Sequence, residues 1–346
     1  MRAEDLPPLV YACGLSCRKA KILGRFACHS HIRRVSSCAG LRPGSTLILW
    51  GGSVVPVDCP EGIKVVRIED GFLRSVGLGV DLVKPVSLVF DSSGIYFDAT
   101  DSSDLEKILA ATDFSAEMIA RAECLRERIV SYNVTKYNVG NGEWRRPSGE
   151  QKVILVPGQV ESDASIRFGA PGIATNMGLL RAVREANPEA YLLYKPHPDV
   201  LAGLRIKGKN EDMAMQWCDE KLTDIAMGPL LPLVDEVHVM TSLAGFEALM
   251  RGKKVTCYGQ PFYAGWGLTA DILPISRRIR TLTLDELVCG ALILYPMYVS
   301  RCNGTLTTPE QALDELLVWS QGDGFKVPWW RRRLFRTVRR YIEGVR

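Results

Sequence analysis

"VILVPGQVESDASIRFGAPGIATNMGLLRAVREANPEAYLLYKPHPD" (residues 153–199) carries a structural unit in its own pattern. Residues 153–156 form a short apolar run, 176–185 are helical in character, and 190–194 form a second apolar run. Strand, helix and strand in this order make a βαβ unit, which builds a parallel sheet covered by helices. The second strand leaves through YKPHPD (194–199), where two prolines flank one of only four histidines in the chain. Proline opposes both helix and ladder pairing here and biases Lys195 and His197 towards extended backbone. A lysine and a histidine stiffened at a strand end suggest an electrophilic corner built to receive a phosphate.

The same alternation runs outward in both directions. Downstream, strands are expected at 236–240 and 255–258 around a helix at 243–250. Upstream, 45–50 and 63–68 read as buried strands, and 86–90 and 95–98 flank the turn DSSG as a hairpin. Residues 105–132 have a helical period with a break near Asp113. The polar stretch NVGNGEWRRPSGEQ (138–151) holds almost no core residues and marks a domain boundary. The expected class is therefore α/β, with two Rossmann-like domains facing across a cleft. They cover residues 1–145 and 146–300, followed by C-terminal helices over 301–346.

A chain of 346 residues, 47% of them hydrophobic, suits a soluble globular protein of two domains. No apolar run approaches the roughly 20 residues needed to span a bilayer. The start, MRAEDLPPLVYAC, is acidic and lacks an apolar core, so no signal peptide is read. The ten cysteines are scattered without a CxxC pair, Cys13 and Cys17 being closest, which favours reduced thiols in a cytoplasmic setting. Net charge is +4, yet residues 326–346 hold eight Lys/Arg against one Glu. Trp330, Leu334, Val338 and Tyr341 recur there at helical spacing. Such a helix suits an anionic membrane surface, or docks its apolar stripe on the protein itself. No nucleic-acid partner is expected.

Ligands of open α/β sheets bind at the carboxyl ends of the strands, and four expected strand ends carry polar clusters. They are Glu69-Asp70-Gly71 with Arg74 beyond, Gln159 to Ser165, Lys195 to Pro198, and Thr241-Ser242. Neither GxGxxG after a strand nor GxxxxGK[ST] occurs, so phosphate contacts must come from elsewhere. Thr241 and Ser242 open a helix, where they either cap it or help to bind an anion. His197 is a candidate phosphate donor and His238 a core residue, while His29 and His31 have no partner signature. With so few histidines, no metal site is expected. Glu69 and Asp70 are adjacent on a strand end, so one of them is expected to enter the cleft as a general base. Asp163 is either a turn-capping residue or a carboxylate nucleophile of the kind used at anomeric carbons. YGQPFYAGWGLTAD (258–271) is too apolar for an open surface and should line the cleft between domains. Glu247, on the helix after Ser242, is placed to reach a ribose diol.

Together these stretches resemble the capsule polysaccharide biosynthesis family, of the KpsC/LipA type of bacterial β-Kdo glycosyltransferase. The similarity is carried by EDGFLRSVGLGVDLVKPVSLVFDSSGIYFDAT, VPGQVESDAS, YKPHPD, TSLAGFEALMRGKKVTCYGQPFYAGWGLT and LTLDELVCGALILYPMYV, in order over roughly residues 45 to 300. The Glu-Asp-Gly, His-Pro and Thr-Ser elements are also similar, more loosely, to those of GT-B sialyltransferases. The resemblance implies a GT-B-like fold and transfer of Kdo from CMP-Kdo, with retention, to a (poly-)Kdo glycolipid linker. It makes Asp163 the nucleophile, Glu69 or Asp70 the base, and His197, Thr241 and Ser242 the phosphate contacts, with Glu247 on the ribose. Lys195, Gln159, Ser165 and Arg74 are expected on the donor side. No cofactor or metal is implied. Other capsule biosynthesis or export proteins are possible partners, at the cytoplasmic face of the inner membrane. Two departures stand out: relatives carry two tandem modules where one is read here, and GGSVV after Trp50 lacks an expected basic residue. The rival readings are a nucleotide-sugar epimerase on the same scaffold and a non-catalytic capsule-assembly subunit.

Overall fold

The computed structural model describes residues 5–27, 29–74, 84–136, 140, 142–149 and 151–321. The first part of the chain forms β1 (Leu9–Cys13), α1 (Cys17–Phe26), β2 (His31–Val35), β3 (Thr46–Trp50), β4 (Lys64–Asp70), β5 (Ser87–Asp91), α2 (Asp104–Ala111) and α3 (Ala116–Ser131). A second series follows: β6 (Val153–Pro157), α4 (Ala164–Gly169), α5 (Asn176–Ala186), β7 (Tyr191–Lys195), α6 (Pro198–Leu201), β8 (Glu220–Lys221), α7 (Met227–Leu230), β9 (Glu236–Val239), α8 (Leu243–Leu249), β10 (Lys254–Cys257) and β11 (Ala270–Asp271). The chain closes with α9 (Leu284–Val288), a π-helical turn, β12 (Pro296–Val299), β13 (Leu306–Thr307) and α10 (Pro309–Gln321).

Two sheets result, as the α/β, GT-B-like reading requires. The second has the order β11-β10-β9-β6-β7-β8 and is parallel throughout. The first has the order β13-β12-β5-β4-β3-β1-β2, parallel from β4 to β2 and antiparallel beyond. The central strands TLILW, SLVFD and VILVP are buried nearly end to end, as strands covered on both faces must be. In each sheet the chain winds first one way and then the other. The switch points lie between β1 and β3 and between β6 and β9, where such sheets bind ligands.

The helical break near Asp113 is present: α2 ends at Ala111 and Ser115 caps α3 by accepting from Met118 N. The hairpin expected at 86–98 does not form, because residues 95–98 are not a strand. The buried Asp91 carboxylate instead accepts from the backbone N–H of Ser93, Gly94 and Asp104, folding DSSG into a tight turn that opens α2. β5 pairs with β4 on one side and β12 on the other. Residues beyond 295 therefore return to the first sheet, although 146–300 was expected to form one domain and 301 onward only helices. Strand β12 covers the edge that β5 would otherwise expose. Ion pairs Arg121–Glu310 (2.8 Å) and Arg126–Asp285 (2.6 Å) tie α3 to α10 and α9.

The loop 258–271 is more deeply placed than a cleft wall. Tyr263 and Trp266 are wholly buried, and only Pro261 and Phe262 reach the cleft. Phe262 packs 4.5 Å from Phe72 of the first half, with Tyr96 edge-on 4.8 Å from Phe72. This aromatic cluster joins the two halves below the cleft. The basic stretch 326–346 lies outside the described residues.

Candidate active site

A cavity of about 550 Å³ runs between the halves, lined from both sheets at their switch points. Its floor in the second half is set by hydrogen bonds that cross from β6 to β9. Gln159 donates Nε2–H to Thr241 Oγ1 and accepts the Thr241 N–H, each at 2.9 Å. Asn176 grips the Gln159 backbone from the other side, accepting its N–H and donating to its carbonyl, both at 2.9 Å. Having accepted from Gln159, the Thr241 hydroxyl keeps its own proton for a ligand. Ser242 caps α8 by accepting from Ala244 N, and Ser165 lies on the wall two residues beyond Asp163.

Asp163 sits at the N-cap position of α4 but makes no side-chain cap bond. Its carboxylate faces the cleft, 44% exposed, and accepts from Arg205 Nη2 at 3.2 Å. A capping residue would have turned back on its own helix. Beside it the Pro-flanked corner is built as its sequence suggests, with one difference: Pro198 starts the one-turn helix α6, a position where proline fits because no N–H is required. His197 Nδ1 accepts from Asp199 N at 3.1 Å. Burial holds the imidazole well below its usual range, down to about 4, against the opposing pull of Asp163. A neutral ring whose Nδ1 accepts must carry its proton on Nε2, so His197 is a fixed neutral donor. Lys195, 6% exposed, is lowered by burial while Asp224 opposes the shift. The strand ends approach so closely that a Cβ on Gly158 would lie 2.7 Å from the Tyr194 hydroxyl.

The first half supplies carboxylates and two lysines. Glu69 and Asp70 both line the cleft, whereas one was expected to. Their states differ. Asp70 pairs with Arg74 at 2.5 Å, and Arg74 stands behind it rather than on the cleft wall, away from the donor side where it was expected. Glu69 is pushed up to about 7 by desolvation and by the neighbouring Asp70 charge, with Lys136 and Lys19 pulling the other way. Gly51, at φ +51°, leaves room for it: a Cβ there would come within 2.7 Å of Glu69 Oε2. Glu247, 6% exposed, accepts from Lys136 N at 2.7 Å and is also pushed up to about 7 by burial.

Four cleft residues carried no sequence signal: Lys19, Trp50, Lys136 and Arg205. Lys19 arrives from α1, with Nζ 4.0 Å over the Trp50 ring. Of the other histidines, His238 is buried in β9 as a core residue, while His31 begins β2. Among the described residues, no helix is long and apolar enough to cross a membrane.

Residues 58–141 and 121–306 match the model of a family described as capsule polysaccharide biosynthesis protein. The capsule polysaccharide modification protein LipA of Neisseria meningitidis serogroup A is 50% identical over 262 residues, 75% of this chain. This chain spans only 37% of LipA's length. The lipopolysaccharide-processing protein LpsZ of Rhizobium meliloti is 38% identical over 337 residues, covering 92% of this chain and 77% of LpsZ. Among solved structures, the β-Kdo 2,7 transferase of Thermosulfurimonas dismutans KpsC matches at TM-score 0.76 and 42% identity, over 91% of this chain and all of that one. The β-Kdo 2,4 transferase of the same protein matches at TM-score 0.78 and 31% identity, over 89% and 98%. With the family match, the identities and the shared architecture in agreement, this chain belongs to the capsule polysaccharide biosynthesis protein family.

Proposed function

We propose that the protein is a retaining glycosyltransferase that moves Kdo from CMP-Kdo to a Kdo-terminated glycolipid during capsule biosynthesis. One observation carries this reading: two carboxylates in different electrostatic states line one cleft from opposite halves. Asp163 is solvent-reachable and held by Arg205, which suits a nucleophile. Glu69 is raised to about 7, which suits a base working near neutrality. The likeness to two Kdo transferase modules supports the choice of sugar.

In this scheme the Asp163 carboxylate attacks the anomeric carbon of the donor. The bond to the phosphate oxygen breaks and CMP departs with that electron pair. His197 donates Nε2–H to the phosphate, and Lys195 and Thr241 add to a field that strengthens as charge develops. Glu247 takes the ribose hydroxyls. The acceptor hydroxyl then gives its proton to Glu69, its oxygen bonds to the same carbon, and Asp163 is released. Two inversions give net retention.

The test is to incubate the protein with CMP-Kdo, with and without a β-Kdo glycolipid. Acceptor-dependent transfer supports the reading. Turnover that ignores the acceptor points to an epimerase-like reaction, and no turnover to an assembly subunit. In this reading a lipid-linked acceptor would bring the enzyme to the cytoplasmic face of the inner membrane, with the basic residues 326–346 as its contact with anionic lipid. Deleting 329–346 should then release the protein from anionic vesicles without loss of transfer to a soluble acceptor.

A further inference from the structure

The arginine that holds Asp163 comes from the segment that follows the His197 corner. Buried Leu204 and Arg205 both donate their backbone N–H to the Asp199 carbonyl, at 2.8 and 3.2 Å. The chain beyond α6 is thereby folded back on that corner, and Arg205 lines the cleft. Its guanidinium spends one nitrogen on the candidate nucleophile, Nη2 to Asp163 Oδ1 at 3.2 Å. Among the described residues, Nε and Nη1 donate to no protein group. Second to burial, the charge of Arg205 is one of those that keep the His197 ring neutral, so it acts on both corners. A guanidinium presents five donors in a flat fork, enough to serve two carboxylates at once.

The attack on the donor calls for such a group. The anomeric carbon of Kdo itself bears a carboxylate. An Asp163 oxygen must come to about 3 Å of that carbon, and therefore close to a second negative charge. Two carboxylates at this range repel one another unless a cation lies between them. We propose that Arg205 is a charge bridge, holding Asp163 on one edge and the donor sugar's carboxylate on the other. The inference rests on the transferase reading and deepens it, giving the first displacement a residue that offsets this repulsion. It also separates the sugar contact from the phosphate contacts of His197, Lys195 and Thr241. An arginine that only oriented Asp163 would serve a charged and a neutral donor alike.

The test compares CMP-Kdo with its carboxamide, in which the sugar carboxylate becomes a neutral group of similar shape. The readout is CMP release in the presence of a β-Kdo glycolipid. Arg205→Met should slow the reaction of CMP-Kdo at least about tenfold more than that of the carboxamide. Taking the ratio between variant and wild type cancels any intrinsic difference in reactivity between the two donors. Arg205→Lys, which keeps the charge without the fork, should recover part of the loss. Displacement binding repeats the comparison if the carboxamide turns over too slowly: Arg205→Met should weaken CMP-Kdo and leave the carboxamide unchanged. CMP alone should bind wild type and Arg205→Met equally, which also shows that the variant is folded. Equal losses with both donors would make Arg205 an orienting residue only and overturn the bridge. Weaker binding of CMP itself would assign Arg205 to the phosphate and overturn it too. A wild type that releases CMP from neither donor would instead remove the transferase reading, and the bridge with it.

Discussion

The two switch points face the same cleft but are built differently. Between β6 and β9 the ends are locked by reciprocal hydrogen bonds, Gln159 with Thr241 and Gln159 with Asn176, and His197, beyond neighbouring β7, is held neutral in a single tautomer. Between β1 and β3 the side chains are arranged by charge and by space. Glu69 sits where Gly51 has no Cβ, Asp70 is committed to Arg74, and Lys19 rests on a ring. A hydrogen-bonded frame is insensitive to pH near neutrality, whereas a carboxylate raised to about 7 titrates there. The difference lies in how the strand ends are held, by hydrogen bonds in the second half and by charge and space around Glu69 in the first. Each half also has one buried carboxyl raised to about 7, Glu69 in the first and Glu247 in the second.

The sharpest way to break this comparison is Asp163→Asn. Transfer should fall by at least about a thousandfold, as when a nucleophile is lost, while CMP-Kdo still binds. Mass spectrometry of wild type with donor alone should find one Kdo attached at Asp163. An adduct on another carboxylate would move the nucleophile elsewhere. Replacing Glu69 with Gln should cost on the order of 10²- to 10⁴-fold, the usual contribution of a positioned base. Wild-type transfer should rise with pH through about 7 as Glu69 loses its proton, and the variant's profile should be flat there. A limb that persists in Glu69→Gln would assign the titration to another group, Glu247 being the other cleft carboxyl raised to about 7.

On the locked side, His197→Ala should lower turnover about a hundredfold, or roughly 3 kcal/mol, with weaker donor binding. The loss should be constant from pH 6 to 8, because the ring is neutral throughout that range. Normal turnover by a folded variant would make the corner structural only. The smallest effect expected concerns stability. Glu247 is raised from 4.5 to about 7 in the folded protein, so its contribution is full below pH 4.5 and is lost as pH rises through 7. Glu247→Gln should therefore gain about 1–3 kcal/mol over wild type at pH 8 and nothing at pH 4, at the expense of nucleotide affinity. Urea melts at the two pH values decide it.

Much of the architecture was legible because its signals are local. Apolar runs marked β3, β4, β6, β7, β9 and β10, and the period of 105–132 gave both helices and the break between them. The strand ends named Asp163, His197, Thr241 and Glu69, since polar residues just beyond a buried strand have few other places to go. The misreadings have equally physical causes. DSSG looked like a hairpin turn because the buried Asp91, which folds it otherwise, acts through Asp104, thirteen residues away. Arg74 looked like a donor contact because its pairing with Asp70 leaves no mark in the spacing.

By itself the sequence determined many of the strands and helices and which polar residues stand just beyond the buried strands. Those properties follow from short-range sterics, capping and the burial of apolar runs. Only the tertiary structure decided which edges meet. It set β12 against β5 across some 200 residues, brought Arg205 to Asp163, and carried Lys19 from its helix onto Trp50. It also decided that Asp70 pairs with Arg74 while Glu69 is buried and raised to about 7. Pairings over such distances depend on how sheets and helices pack, and desolvation is a property of the whole surroundings, so neither is written in any one stretch of the chain.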